Sequence, residues 1–333
     1  MRFVLNYTEG SLFSIGDRIQ EEGHQVAKGH TTGNGTLLIS DVPLDPIRCN
    51  GEGIGVSRFT LLMSKSREYE ESIKLAAGLQ SSIVFPHLPD TRKEIEFSIG
   101  CWFNGIDFVY PVFGIVDDTY FMDRDRGYPC IMGSTVRIFK EPPKVFMEGM
   151  WKLKTCLRSA NFKGFMMINY ATFMKTTGES YYGIVNIYPH FKADSIYAIL
   201  ESMQEEVGRT LVEIFNGGKK SIRYCRYGYS IAIRISVPPY PYSLGYKIDN
   251  RDYDIKGYCS GNAKHIWLRE VDKNKEGKLK IAGSIIGTVT ARGDTIKECR
   301  RRAYRTISNL DVEWLQYRQD IGMKASEILP NLS

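Results

Sequence analysis

The stretch GSIIGTVTARGDTIKECRRRAYRTISNL at residues 283–310, followed by YRQDIG at 317–322, decides the reading of this chain. Apolar and β-branched residues over 285–290 predict a strand, Gly293 a turn, and Asp294 or Thr295 a helix N-cap. Glu298, three residues after Thr295, completes a capping box, in which a hydroxyl and a carboxylate satisfy N–H groups that the first helical turn leaves open. The helix over 295–310 gathers Ile296, Cys299, Ala303 and Ile307 on one face at three- and four-residue steps and turns Arg300, Arg301 and Arg305 outward. A strand, a glycine turn and a helix folding back make an α+β unit.

Working toward the N-terminus, IAIRISVPPYPY (231–242) and KHIWLREV (264–271) read as strands. Helical spacing over 195–215 stops at Asn216, Gly217 and Gly218, where glycine takes the left-handed cap conformation. Strands are expected over 164–174 and 181–188, and a helix over 143–160. Two more strands, 94–102 and 108–116, flank an Asn-Gly hairpin signal at Asn104 and Gly105. A charged amphipathic helix is expected over 58–79, and a β-α start from RFVLNY (2–7) and a helix over 15–26. No internal repeat is visible. Alternating β and α elements with hairpins predict a mixed α/β, or α+β, protein.

Composition agrees with a folded chain: 333 residues suit two domains or one composite fold, and 43% apolar with 25% charged residues excludes a disordered polymer. The net charge of +6 favours acidic or phosphorylated partners only mildly at this length. Seven cysteines at 49, 101, 130, 156, 225, 259 and 299, with no CxxC pair, fit neither a disulfide framework nor a structural zinc site, and buried reduced thiols are expected. MRFVLNYTEG lacks a signal-peptide core, and no apolar run approaches the ~18 residues a membrane span needs, so a cytoplasmic protein with no membrane partner is expected.

The C-terminal stretch resembles the phosphoribosylamine-glycine ligase family of ATP-grasp enzymes, whose pattern is roughly GxVxxVTxxGxTxxEAxxxAYxxxxxI and then YRxDIG. The matches are Gly283, Gly287, Val289, Thr290, Gly293, Thr295, Glu298, Ala303, Tyr304 and the run 318–322. ISVPPYPY (235–242) and HIWLREV (265–271) are similar to elements preceding it, and EFSIGCWFNG (96–105) is similar to the family's E-x-S/A strand and turn. The resemblance implies an ATP-grasp-like core lacking a full lid subdomain, a ligase-type α+β domain at 221–333, a truncated core at 58–220, and a reduced N-terminal β-α region at 1–57. It also implies a lid of on the order of 60 to 70 residues, where this chain has only QSSIVFPHLPDTRK at 80–93.

Catalysis in such a ligase needs carboxylate and amide oxygens on Mg²⁺, which neutralises the triphosphate. The family motif IEFNCRFGDPE aligns with residues 185–195, where the metal-binding Glu becomes Asn186, the metal-binding Asn becomes Tyr188, the Arg becomes His190, and Phe191 is kept. One neutral amide oxygen and a phenol do not make a hard-cation site. His190 is a possible replacement polar residue, although a lone His at a strand end is more often packed or exposed. The substrate loop GPNTGGMG corresponds to RGYPCIMGS at 126–134, keeping Gly127, Met132 and Gly133, with Arg124 and Arg126 as candidate phosphate contacts or a solvated basic turn. Glu96 matches the ribose-side carboxylate.

Three readings follow. A catalytically degenerate homologue binds a protein or a nucleotide-like ligand. An active ATP-dependent ligase with a site rebuilt around Glu96, Asn186 and His190 uses ATP and Mg²⁺, which only this second reading requires. A nucleic-acid-binding protein uses Arg300, Arg301, Arg302, Arg305, Lys219 and Lys220 with the neighbouring tyrosines.

Overall fold

The computed structural model of the chain describes residues 2–6, 20, 22, 25–28, 36–40, 57–60, 91–118, 132–159, 162–175, 180–188, 191, 194–225, 228–241 and 253–332. Four short parallel strands come first: β1 (Arg2–Asn6), β2 (Gln25–Lys28), β3 (Thr36–Ser40) and β4 (Ser57–Thr60). Their order, β2-β1-β3-β4, is that of a parallel open sheet, so this region holds more strands than the single β-α unit read from the sequence. Val26 lies in β2 and Arg58 in β4, which corrects the ends of both helices expected there. Segments this short pair with neighbouring strands more readily than they nucleate a helix. Apart from residues 20, 22, 25, 59 and 60, the remainder of those two helices lies outside the described residues, as do residues 80–90 of the 80–93 stretch where the lid deletion was expected.

The antiparallel part follows: β5 (Thr91–Asn104), β6 (Phe108–Asp118), β7 (Gly133–Phe139), α1 (Lys144–Ser159), β8 (Lys163–Lys175) and β9 (Ser180–Tyr188). Next are α2 (Ser195–Ser202), α3 (Val207–Phe215), β10 (Tyr229–Ser236), β11 (Ile266–Leu268), β12 (Val271–Lys273), β13 (Leu279–Ile281), β14 (Ile285–Gly293), α4 (Ile296–Ser308) and α5 (Met323–Ile328). Among the described residues, twelve strands join one sheet, β11-β14-β10-β7-β6-β5-β8-β4-β3-β1-β2, with β9 on β8. β4 meets β8 through Thr60 opposite Gly164.

The spine is the β5/β8 pair, which runs from Thr91 opposite Lys175 to Asn104 opposite Lys163 with one register shift between Lys93 and Ile95. Side chains alternate across it. Phe97, Ile99, Cys101 and Phe103 point to α1, where Phe146, Met150, Leu153 and Leu157 are buried. Trp102, Phe165 and Met167 point to the other face, covered by Ile196 and Ile199 of α2 and Leu211 and Ile214 of α3. Burying each such side chain contributes about 1.5–3 kcal/mol, so both faces are strongly committed. The Asn-Gly turn forms as expected: Gly105 has φ +92°, and Asn104 Oδ1 accepts from the N–H groups of Ile106 and Asp107 at 2.9 and 2.7 Å.

The single helix expected over 195–215 is two helices. Met203 and Glu206 are extended, and the backbone there bonds sideways to residues 223–225, with Gln204 N–H on Arg223 O and Cys225 N–H on Ser202 O. Local helical spacing yields because a neighbouring segment offers the same hydrogen bonds. Gly217, at φ +77°, ends α3 where the glycine pair predicted.

The C-terminal unit follows its sequence closely. Thr295 Oγ1 accepts from Glu298 N–H at 3.2 Å and caps α4, whose buried residues are Ile296, Cys299, Ala303 and Ile307. Glu298 Oε2 reaches back to Asp294 N–H at 3.0 Å, one residue short of the standard capping box. Arg301 and Arg305 are exposed. Arg300 is not: it is half-buried, donating to the carbonyls of Ile321 and Gln319, because the YRQDIG segment lies across that side of the helix.

Candidate functional site

The sheet face that carries Trp102 and Met167 becomes polar toward one end. Ser98 and Asn169, both 2% exposed, face each other in register on β5 and β8, and Ser98 Oγ donates to Asn169 Oδ1 at 3.2 Å. Asn169 Nδ2 in turn donates to Glu96, two residues along β5, leaving a half-buried carboxylate at the end of a hydroxyl–amide–carboxylate chain. Asn186 is the β9 residue in register with Asn169. On the next hairpin, Ser134 Oγ donates to Asp117 Oδ1 at 2.6 Å.

The expected site residues divide as follows. Glu96, Asn186 and Tyr188 fall on adjacent strands β5 and β9 flanking β8, which brings them to one region of the sheet. Tyr188, opposite Met167, is half-buried and packs against the apolar cluster that includes Trp102, Phe165, Met167 and Phe191. Gly133 is the first residue of β7, and a Cβ there would meet Ile321 at 2.6 Å and the Ala232 carbonyl oxygen at 2.9 Å. Close packing against YRQDIG accounts for that glycine without any ligand. Met132 accepts Arg234 N–H through its carbonyl at 3.1 Å. Arg124, Arg126, Gly127 and His190 lie outside the described residues.

Sequence reasoning passed over two buried charge clusters on the same face. Arg234 of β10 donates through Nε and Nη2 to both oxygens of Asp194, at 3.0 and 2.8 Å, and through Nη1 to Tyr240 at 2.8 Å. Thr288 of β14 adds a bond to Asp194 Oδ1 at 3.4 Å. Two turns of α2 further on, Glu201 accepts from Thr290 at 2.6 Å and lies 2.9 Å from His265 Nδ1, while Trp267 donates to Thr290 at 3.2 Å. The available signal was the arginine inside IAIRIS: a charge amid isoleucines of a central strand must be paired, because its uncompensated burial is too costly.

Burial pushes the Cys101 thiol well up, and Cys299 up to about 12. Of the four cysteines whose side chains are described two are buried, Cys225 is half-buried and Cys259 exposed, so the expectation of buried thiols holds for half of these four.

The residues at the position implied for Mg²⁺ and ATP phosphates do not fit that group. An amide residue at 186 and a phenol packed on an apolar cluster at 188 replace the oxygen donors a hard cation requires. Among the described residues, no group of three or more His, Cys, Asp or Glu comes together to hold a metal ion. No described helix is long and apolar enough to cross a membrane.

No family model matches the chain. Among curated proteins, the phosphoribosylamine–glycine ligase of Lactococcus lactis is 21% identical over 282 residues, covering 83% of this chain and 63% of the relative. That of Streptococcus pneumoniae is 25% identical over 130 residues, 38% of this chain and 29% of the relative. The chain thus spans less than two thirds of the length of these relatives. Among solved structures, phosphoribosylamine–glycine ligase of Thermotoga maritima superposes with a TM-score of 0.64 at 15% identity, covering 96% of this chain and all of that one. Phosphoribosylglycinamide synthetase of Anaerococcus prevotii gives 0.52 at 10% identity, covering 93% and 98%. Kluyveromyces lactis urea carboxylase gives 0.53 at 12% identity, covering 99% of this chain and 32% of that one.

The fold is therefore that of the ATP-grasp ligases, a mixed α+β architecture around one large sheet. In sequence, the chain is similar to the phosphoribosylamine–glycine ligases, at 21% and 25% identity to the two curated relatives.

Proposed function

We propose that this protein is a non-ligating relative of phosphoribosylamine–glycine ligase, which uses the ATP-grasp sheet to bind a nucleotide-like ligand or a protein and turns over neither ATP nor glycine. The observation that carries the reading is Tyr188: at the position where the resemblance implies a metal-ligating amide, a half-buried phenol packs against the apolar cluster that includes Trp102, Phe165, Met167 and Phe191. Withdrawing it to admit a hydrated cation would expose that cluster. The chain from Ser98 through Asn169 to the Glu96 carboxylate instead offers hydrogen bonds suited to hydroxyl or amino groups.

Calorimetric titration with ATP and ADP, each with and without Mg²⁺, tests this. Affinity that is absent or unchanged by Mg²⁺ is the expected outcome. A strict dependence of ATP binding on Mg²⁺ would instead support the working enzyme with a rebuilt site.

A further inference from the structure

A second surface stands apart from the sheet face, on the outer side of α4. Lys297, Arg301 and Arg305 recur at four-residue steps, all exposed. That places three cations about 6 Å apart along the helix axis. Several exposed or half-exposed cations of the described helices are neutralised nearby: Arg209 by Glu213, Lys154 by Asp107, Arg302 by Glu298. Glu298, the acid of α4, is taken by Arg302 and by the N–H of Asp294, so it does not offset the stripe. Like charges at i,i+4 destabilise a helix by about 0.2–0.5 kcal/mol per pair, so the arrangement opposes helix stability rather than serving it. The surrounding segment is basic as a whole: residues 253–332 hold fifteen Lys and Arg against ten Asp and Glu.

The loop between α4 and α5 adds an aromatic element. Arg300 lies over the Tyr304 ring at 5.4 Å, Tyr304 packs on Tyr317 at 6.1 Å, and the Tyr304 hydroxyl donates to the Arg318 carbonyl at 2.8 Å, fastening that loop to the helix. On the loop, Trp314 has φ +59° and is 65% exposed, its Nε1–H held by Glu313 at 3.1 Å. A bulky residue in the left-handed region is strained, and here the strain holds an indole in solvent. Such a ring suits a stacking partner, which every base of a single strand supplies.

We propose that the Lys297–Arg301–Arg305 stripe and Trp314 form a binding surface for single-stranded nucleic acid, the cations tracking phosphates and the indole stacking on a base. Fluorescence anisotropy with a labelled single-stranded oligonucleotide of about 12 nucleotides, as DNA and as RNA, tests it on the full chain. Three phosphate contacts give a log–log salt slope of about −2 between about 50 and 200 mM salt. The triple variant K297E/R301E/R305E weakens binding at least about tenfold, and Trp314→Ala weakens it by about tenfold, within the usual range for one stacked base. A charge-matched control, K273E/K275E/K278E on the exposed part of the β12–β13 hairpin, leaves binding within about twofold. Absence of binding at the low-salt end overturns the proposal, as does equal loss in the control triple. Retained affinity in Trp314→Ala together with equal competition by polyglutamate also overturns it, and assigns the stripe to an acidic protein segment.

Discussion

Arg234 and Asp194 form a two-pronged ion pair, at 3.0 and 2.8 Å, inside the protein, with their side chains 8% and 1% exposed. The pair joins the residue just before α2 to the central strand β10 and is one of the polar ties, with Glu201–Thr290, between that helix and the sheet. Removing one partner leaves a buried charge uncompensated, which costs about 3–5 kcal/mol. Asp194→Ala is therefore expected to lose that much in urea unfolding, whereas the double variant D194L/R234M loses clearly less. Additive losses in the double variant would show that the two residues act independently.

The two sides of α4 should respond in opposite ways. Ala303 is fully buried, so Ala303→Arg forces a charge into a packed seam and costs several kcal/mol. Arg301→Ala should change stability by less than about 0.5 kcal/mol. Arg300→Ala falls between, at about 1.5–3 kcal/mol, because its guanidinium holds the carbonyls of Gln319 and Ile321. Thermal unfolding of the three variants ranks them; Arg301 outranking Ala303 would reverse the helical face.

Acid sensitivity should trace partly to Asp320. The Arg318 guanidinium bonded to it, at 2.8 and 2.5 Å, holds its carboxyl below the usual carboxylate value. A carboxyl with a lowered folded pKa contributes stability above its unfolded pKa of about 3.9 and loses it as pH falls through the folded value. Asp118 has the opposite sign: burial raises it, with the Gly322 N–H opposing, so ionising it costs stability as pH rises from about 4. Chemical denaturation from about pH 2 to 7 should show a flatter acid limb for Asp320→Asn than for the wild type. An unchanged slope would remove Arg318–Asp320 from the acid response.

Glu22 caps α3 from 185 residues away, its carboxylate accepting from Val207 N–H at 2.5 Å and Gly208 N–H at 2.7 Å. A negative charge on a helix N-terminus satisfies open N–H groups and the helix dipole together. Glu22→Ala should cost about 1 kcal/mol and speed hydrogen exchange at Val207 and Gly208. Exchange that stays as slow as in the wild type would mean that the cap contributes nothing.

The fold was legible where local chemistry decides it. Thr295, Glu298 and the Ile296–Cys299–Ala303–Ile307 spacing specify α4 through capping and one-sided burial, and Asn104–Gly105 specifies the β5–β6 turn. It was illegible where distant partners decide. Residues 203–206 leave the helix because 223–225 pair with them, and Arg300 turns inward because Gln319 and Ile321 present carbonyls to it. In the candidate site, the replacements Asn186 and Tyr188 could be read from the sequence. The Ser98–Asn169–Glu96 chain could not, because it depends on the register of β5 against β8.

The most direct measurement of the central claim is steady-state phosphate release from ATP and Mg²⁺ in the presence of glycine and phosphoribosylamine. With Tyr188 committed to the apolar cluster and Glu96 to Asn169, release at the no-enzyme background is the expected result. Sustained turnover that Glu96→Ala abolishes would contradict it.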